Sequence, residues 1–214
     1  MLPKEKKMNQ LISEYLRPKS FQEMMLPNQL KIRLQKMINE QNVMNMIFHG
    51  KPGSGKTSAA QIICDDENFE IIKINGSLLT GIDVVRNKIQ NFANSMSILN
   101  QKKIVFIDEA DYMSKNAQAS MRGLIEDTSR NCRYIFTANE VSKIHSALCS
   151  RLIPICFDLT SAQTQSALEE YVRVTIEKLK QRAESIDAQR VEAIIRHYYP
   201  DHRNIANHLE FEFS

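Results

Sequence analysis

The sequence predicts a parallel α/β sheet covered by helices, followed by a small all-helical domain. Three observations carry that prediction. Short apolar segments alternate with helix-length amphipathic ones between residues 43 and 157. A glycine-rich loop joins the first apolar segment to the first helical one. After residue 158 the short apolar segments stop and helical spacing takes over, which divides the chain into 1–158 and 159–214.

The elements follow in order. Residues 1–20 are polar and basic and end in Glu14-Tyr-Leu-Arg-Pro18. Residues 29–41 suit an amphipathic helix, because Leu30, Leu34, Met37 and Ile38 recur on one face. Residues 43–49 form the first strand and, after the glycine-rich loop, 57–65 read as a helix. Residues 69–75 form the second strand, and 82–96 a helix with Val85, Ile89, Phe92 and Ala93 as its stripe. Residues 103–107 are almost wholly apolar, as in a strand covered on both faces. Residues 114–127 read as a helix with Ser114 as N-cap, and 133–138 and 153–157 as the fourth and fifth strands. In the second domain Thr160-Ser-Ala-Gln163 forms a capping box, and Leu168, Tyr171, Val172, Thr175, Ile176 and Leu179 mark the helix behind it. Asp187 opens a helix carrying Val191, Ile194, Ile195 and Tyr198; after Pro200-Asp201 a third turns Ile205 and Leu209 inward.

The totals set limits. With 43% hydrophobic and 25% charged residues the 214-residue chain can bury a real core, so disorder is not expected. A net charge of +3 permits nucleic-acid contact without demanding it. Cys64, Cys132, Cys149 and Cys156 show no Cys-x-x-Cys spacing, follow no signal peptide, and read as free thiols. Apolar runs are too short to span a bilayer, so a cytoplasmic chain with no membrane partner is expected. His197, His202 and His208 lack the spacing of a helical metal-ligand pair, and the ten methionines read as core filler.

Chemistry concentrates in two places. Gly50-Lys-Pro52-Gly53-Ser54-Gly55-Lys56-Thr57, followed by Ser58, is a P-loop pattern set between an apolar strand and a helix. Its glycines let backbone N–H groups face phosphates, and the helix adds its positive N-terminus. Lys56 reaches the β and γ phosphates of ATP, and the Thr57 hydroxyl ligates Mg²⁺. Ile104-Val-Phe-Ile-Asp108-Glu109 ends an apolar strand in two carboxylates, which are costly there unless they have work to do. Asp108 would hold Mg²⁺, and Glu109 would act as general base on the attacking water.

Asp108-Glu-Ala-Asp111 beside a P-loop resembles the AAA+ ATPases of the sliding-clamp-loader family, the small subunits of replication factor C and the T4-like phage subunit among them. Glu14-Tyr-Leu-Arg-Pro18, Asn75-Gly-Ser with Gly81-Ile-Asp-Val-Val-Arg86, Ala117-Gln118 with Arg122, Thr137-Ala-Asn139, Ser150-Arg151 and Pro200-Asp-His-Arg203 carry the resemblance in order from about residue 14 to residue 210.

The resemblance implies an α/β AAA+ domain with a helical lid, acting as a DNA-dependent, Mg²⁺-dependent ATPase. In that reading Asn139 senses the γ-phosphate, Arg203 contacts the phosphates from the lid, and Tyr15, Arg17 and Pro18 line the adenine end. Arg151 serves a neighbouring subunit's site in trans. Arg86, Ser114, Lys115 and Arg122 contact DNA phosphates, and Gln118 links their helix to Glu109. The implied partners are primer-template DNA, a sliding clamp and further subunits of a pentamer, in a host cytoplasm for a phage protein or a nucleus for a eukaryotic one. Three features depart from the family pattern: Leu152 follows Ser150-Arg151 in place of cysteine, Gly123 follows Arg122 in place of a second arginine, and the sequence ends where a collar domain would begin. The alternatives are another AAA+ DNA machine, such as an initiator, helicase loader or branch-migration motor, and an ATP-dependent regulatory binding protein.

Overall fold

The computed structural model describes residues 10–78, 82–97, 99, 101–182 and 186–213. Five strands, β1 (Met46–His49), β2 (Phe69–Asn75), β3 (Lys102–Asp108), β4 (Cys132–Ala138) and β5 (Ile153–Cys156), make one sheet in the order β2-β3-β4-β1-β5. Every pairing is parallel, so each return crosses a face of the sheet. The helices of this part are α1 (Ile12–Tyr15), α2 (Asn28–Asn39), α3 (Lys56–Cys64), α4 (Ile82–Asn94), α5 (Lys115–Thr128) and α6 (Ser146–Cys149).

The two-residue period of β3 feeds two cores. Val105 and Ile107 join Ile89, Ala93, Met121, Leu124 and Ile125 of α4 and α5 on one face. Ile104 and Phe106 join Leu34, Met37, Ile38, Ala59, Ala60 and Ile63 of α2 and α3 on the other. This double coverage is why the strand reads as one continuous apolar run.

Some boundaries differ from the sequence expectation, with physical reasons. The first strand begins at Met46 rather than residue 43, because Asn45 stands at the ladder's edge. Its side-chain oxygen accepts the Tyr134 N–H at 3.0 Å and its carbonyl accepts the Ile153 N–H at 2.9 Å. The helix expected over 82–96 stops at Asn94, not Met96. Lys103, buried within β3, caps that end: its Nζ donates to the Phe92 carbonyl at 2.6 Å, to the Ser95 hydroxyl at 2.6 Å and to the Ser95 carbonyl. Gly81 and the Val85 side chain lie outside the described residues.

The C-terminal helices α7 (Ser161–Arg182), α8 (Ala188–Tyr198) and α9 (His202–Phe213) surround their own core of Val172, Leu179, Val191, Ile195, Ile205 and Leu209. Gln163 accepts the Thr160 N–H at 3.0 Å, as in a capping box, and Asp187 accepts the N–H groups of Gln189 and Arg190 at the start of α8. One finding corrects the division at residue 158: Ile12 belongs to this helical core, with Leu16 packed against it. The N–H groups of Ile12 and Ser13 donate to Glu210, Tyr15 Oη donates to the Lys178 carbonyl at 3.1 Å, and Lys178 pairs with Glu23 at 2.6 Å. The N-terminal segment is therefore part of the lid's packing, and it ties the lid back to the sheet domain.

Candidate active site

The strand order brings the carboxyl ends of β1, β4 and β3 side by side, where open α/β sheets collect ligands. A cleft of about 360 Å³ opens there between sheet and lid. Pro52 to Ser58 form one wall, and Asp108, Glu109, Asp111 and Asn139 line its floor. Arg17, Pro18, Met24 and Leu26 close it from the N-terminal segment, and Tyr171, His202 and Arg203 from the lid.

The loop between β1 and α3 explains its glycines. Gly55 stands at φ +94° just before α3, a left-handed position that a side chain rarely tolerates. Gly53 (φ +75°) lies so close to the lid that an added Cβ would stand 2.0 Å from Asp201 Oδ1. There the His202 N–H donates to the Gly53 carbonyl at 3.3 Å, so the lid rests directly on the loop. Lys56 Nζ is held inside, donating to the Gly50 and Lys51 carbonyls at 2.8 Å each. Burial lowers its pKa; Asp158 and Asp111 oppose that shift and Arg203 adds to it.

Asp108 is the hub of the floor. Its Oδ1 accepts from Thr57 Oγ1 at 3.0 Å and from Thr137 Oγ1 at 2.5 Å. Thr137 in turn accepts the Glu109 N–H at 3.0 Å. Glu109 sits at φ 56°, ψ 46°, an unusual conformation for a non-glycine residue and a mark of a functional turn. Behind it Gly76 approaches so closely that a Cβ would lie 2.6 Å from the Glu109 carbonyl oxygen. Asn139 donates its backbone N–H to Asp111 Oδ2 at 3.2 Å, while Asp111 Oδ1 is buried with no hydrogen-bond partner among the described residues. Thr57 and Asp108 together offer two hard oxygen ligands at a phosphate loop, a donor set that fits Mg²⁺ completed by phosphate and water.

A sequence model of the ATPase family associated with various cellular activities (AAA) matches residues 46–159, more than half of the chain. This chain belongs to that family. It is 35% identical over 182 residues to the replication factor C small subunit of Staphylothermus marinus, covering 79% of this chain and 55% of that protein. It is 38% identical over 144 residues to the replication factor C small subunit of Archaeoglobus fulgidus, covering 64% and 45% respectively. The sliding-clamp-loader large subunit of Escherichia phage RB69 is 30% identical over 204 residues, covering 94% of this chain and 63% of that protein. The chain thus spans about half the length of the curated relatives it matches. Among solved structures, the RuvB Holliday junction branch migration motor of Thermotoga maritima superposes with a TM-score of 0.70 at 21% identity, over 92% of this chain and 64% of that one; this likeness concerns the fold alone.

Within this AAA chain the structure gathers most of the sequence-predicted site residues into the cleft and leaves others out. Pro52, Gly53, Ser54, Gly55, Lys56, Thr57, Ser58, Asp108, Glu109, Asn139, Arg203, Arg17 and Pro18 all line it. Gly50 contributes its carbonyl to Lys56. Tyr15 is a correction: its hydroxyl is bound to the Lys178 carbonyl and its ring lies 6.0 Å from the Arg182 guanidinium, so it faces the lid's packing instead. Gln118 is a second correction. Its hydrogen bonds go elsewhere than Glu109: its Nε2 donates to the Met113 and Lys143 carbonyls at 3.2 and 3.1 Å, and its Oε1 accepts the His145 N–H at 2.7 Å. It therefore fastens α5 to the segment that leads into α6 and Arg151.

Arg151 is absent from its own cleft. It pairs with Glu126 on α5, with Nε donating to Glu126 Oε1 at 2.7 Å, and its Nη1 donates to the Ala147 carbonyl at 2.5 Å. Arg86, Ser114, Lys115 and Arg122 are all exposed, and Ser114 caps α5 by accepting the Ala117 N–H at 3.2 Å. At Gly123 an added Cβ would meet nothing within 4 Å, so the glycine is not required by packing. Sequence reasoning missed Thr137, Asp111, Tyr171 and His202. Thr137, Asp111 and His202 stood inside quoted motifs, which was a usable signal. His202, pushed down to about 4 by burial, stays neutral at physiological pH and leaves Arg203 as the cation α9 offers the cleft.

Proposed function

We propose that this chain is a DNA-dependent ATPase subunit of a sliding-clamp loader, using ATP binding and hydrolysis to load a clamp on primer-template DNA. The observation that supports the reading is a cleft that gathers Lys56, Thr57, Asp108, Glu109, Asn139 and Arg203 while Arg151 stands outside it, on Glu126. A site of that kind is completed by a neighbour, which suits an oligomeric machine. The kinship with replication factor C small subunits and a phage clamp-loader subunit supports the same class.

In this reading Lys56 and the loop amides bind the β and γ phosphates, and Arg203 closes on them from the lid. Mg²⁺, held by Thr57 and Asp108 with the phosphates, would neutralise charge on the transferring group. Glu109 takes a proton from the attacking water while Asn139 orients that water. Arg151 of the next subunit stabilises the developing charge. Arg86, Ser114, Lys115 and Arg122 meet DNA phosphates without base readout.

The test is ATP turnover by the full chain with its partner subunits, clamp and primed DNA. Stimulation by primed DNA and clamp together is expected. No stimulation by any combination would sink the proposal.

A further inference from the structure

The pairing of Arg151 leaves little of its guanidinium for anything else. Nε and Nη2 donate to Glu126 Oε1, and Nη1 donates to the Ala147 carbonyl and the Ser150 hydroxyl. Arginine has five N–H donors, and four are thereby engaged within its own chain. A guanidinium that must grip a phosphate through two parallel N–H groups cannot do so in this state. The pair is also only half shielded: the Arg151 side chain is 27% exposed and that of Glu126 50%. An ion pair in such a place is weak and easily exchanged, whereas a buried one would lock.

We propose that Glu126 is a positioning residue that holds Arg151 withdrawn from the neighbouring subunit's site until DNA engages α5. The inference rests on the preceding reading, in which Arg151 acts in trans and α5 meets DNA. Three features of α5 support it. The helix opens with Ser114 and Lys115, the proposed DNA contacts. It carries Arg122 one turn before Glu126, on the same side. The Glu126 carboxyl is held below the usual range chiefly by its hydrogen bond to Arg151; desolvation opposes this, and the charges of Arg151 and then Arg122 add lesser lowering. Arg151 bonds this carboxylate directly, and Arg122 acts on it only as a weaker charge at a distance, so DNA that engages Arg122 would shift the balance at Glu126. Meanwhile Gln118 keeps the backbone before α6 fastened to α5, so letting go of Glu126 frees the Arg151 side chain without undoing the fold.

The experiment compares ATP turnover of the assembled full-length chain with Glu126→Gln, Glu126→Ala, Arg151→Ala and the double variant Glu126→Gln/Arg151→Ala, with and without primed DNA. Without DNA, kcat of both Glu126 variants should rise about two- to fivefold, the scale of an exposed ion pair, with KM for ATP unchanged. Stimulation by DNA should shrink by the same factor. The double variant should be as slow as Arg151→Ala alone, because Glu126 acts only through Arg151; a purely structural Glu126 would alter turnover in that background too. Unchanged or lower kcat in the Glu126 variants, with Arg151→Ala still impaired, overturns this inference alone. Wild-type turnover in Arg151→Ala overturns the trans reading and this inference with it.

Discussion

Replacing Thr137 by valine keeps the shape of a side chain that is only 2% exposed and removes one hydroxyl. That hydroxyl donates to Asp108 Oδ1 at 2.5 Å and accepts the Glu109 N–H at 3.0 Å. Valine leaves no cavity, so the cost is that of two broken polar contacts. The Glu109 N–H loses its acceptor, and Asp108 keeps Thr57 as its remaining side-chain donor at 3.0 Å. At about 1–3 kcal/mol for the Glu109 N–H left without an acceptor and about 1 kcal/mol for the one bond lost by Asp108, the loss comes to about 2–4 kcal/mol. For a chain of this size that lowers Tm by roughly 5–15 °C. The Glu109 turn is also the piece of backbone that aims the general base, so kcat should fall by about tenfold or more while KM for ATP changes little. Thr137→Ser, which restores the hydroxyl, should recover most of both. Circular-dichroism melting and steady-state ATP turnover read the two effects. A valine variant that melts within about 1 °C of wild type and turns over normally would refute the idea that Thr137 supports the acidic turn.

Glu109→Gln should bind ATP with unchanged affinity and fail to hydrolyse it, which equilibrium binding and single-turnover measurements separate; normal hydrolysis would assign the base elsewhere. Arg86→Ala should weaken DNA stimulation and reduce the salt slope of DNA affinity by about one, the signature of one lost phosphate contact, and an unaltered slope would remove Arg86 from the DNA surface.

The parts legible in the sequence are those whose chemistry constrains residue type locally. Only glycine suits the φ of +94° at residue 55 or the 2.0 Å approach of Asp201 to residue 53, and a lysine and a hydroxyl directly behind them complete the P-loop pattern. The apolar run of β3 was equally readable, because both its faces are covered. Contacts that exist only after folding were not. Tyr15 matches the expected motif, yet its hydroxyl found the Lys178 carbonyl on α7 rather than the cleft. Helix α1 spans four residues, too few to display a helical stripe, so the membership of Ile12 in the lid's core had no sequence signal. The orientation of Gln118 depends on the Lys143 carbonyl and the His145 N–H, both brought near by a separate loop.

Helix α5 ties these observations to function through its own periodicity. Ala117, Met121, Leu124 and Ile125 sink into the core against β3 and β4 and fix the helix to the sheet that carries Asp108. Ser114, Lys115 and Arg122 fall on the opposite, exposed side. Gln118 and Glu126 lie eight residues apart, close to two turns, so both point toward the loop that ends in Arg151. One element thus touches the sheet that holds the acidic turn, carries the proposed DNA surface and holds the arginine proposed to serve a neighbour. A displacement of α5 by DNA would therefore act on both halves of a shared site, through its packing on β3 and β4 and through Glu126. On the proposed reading, coupling would need no direct contact between Gln118 and Glu109, because the helix itself would be the connection.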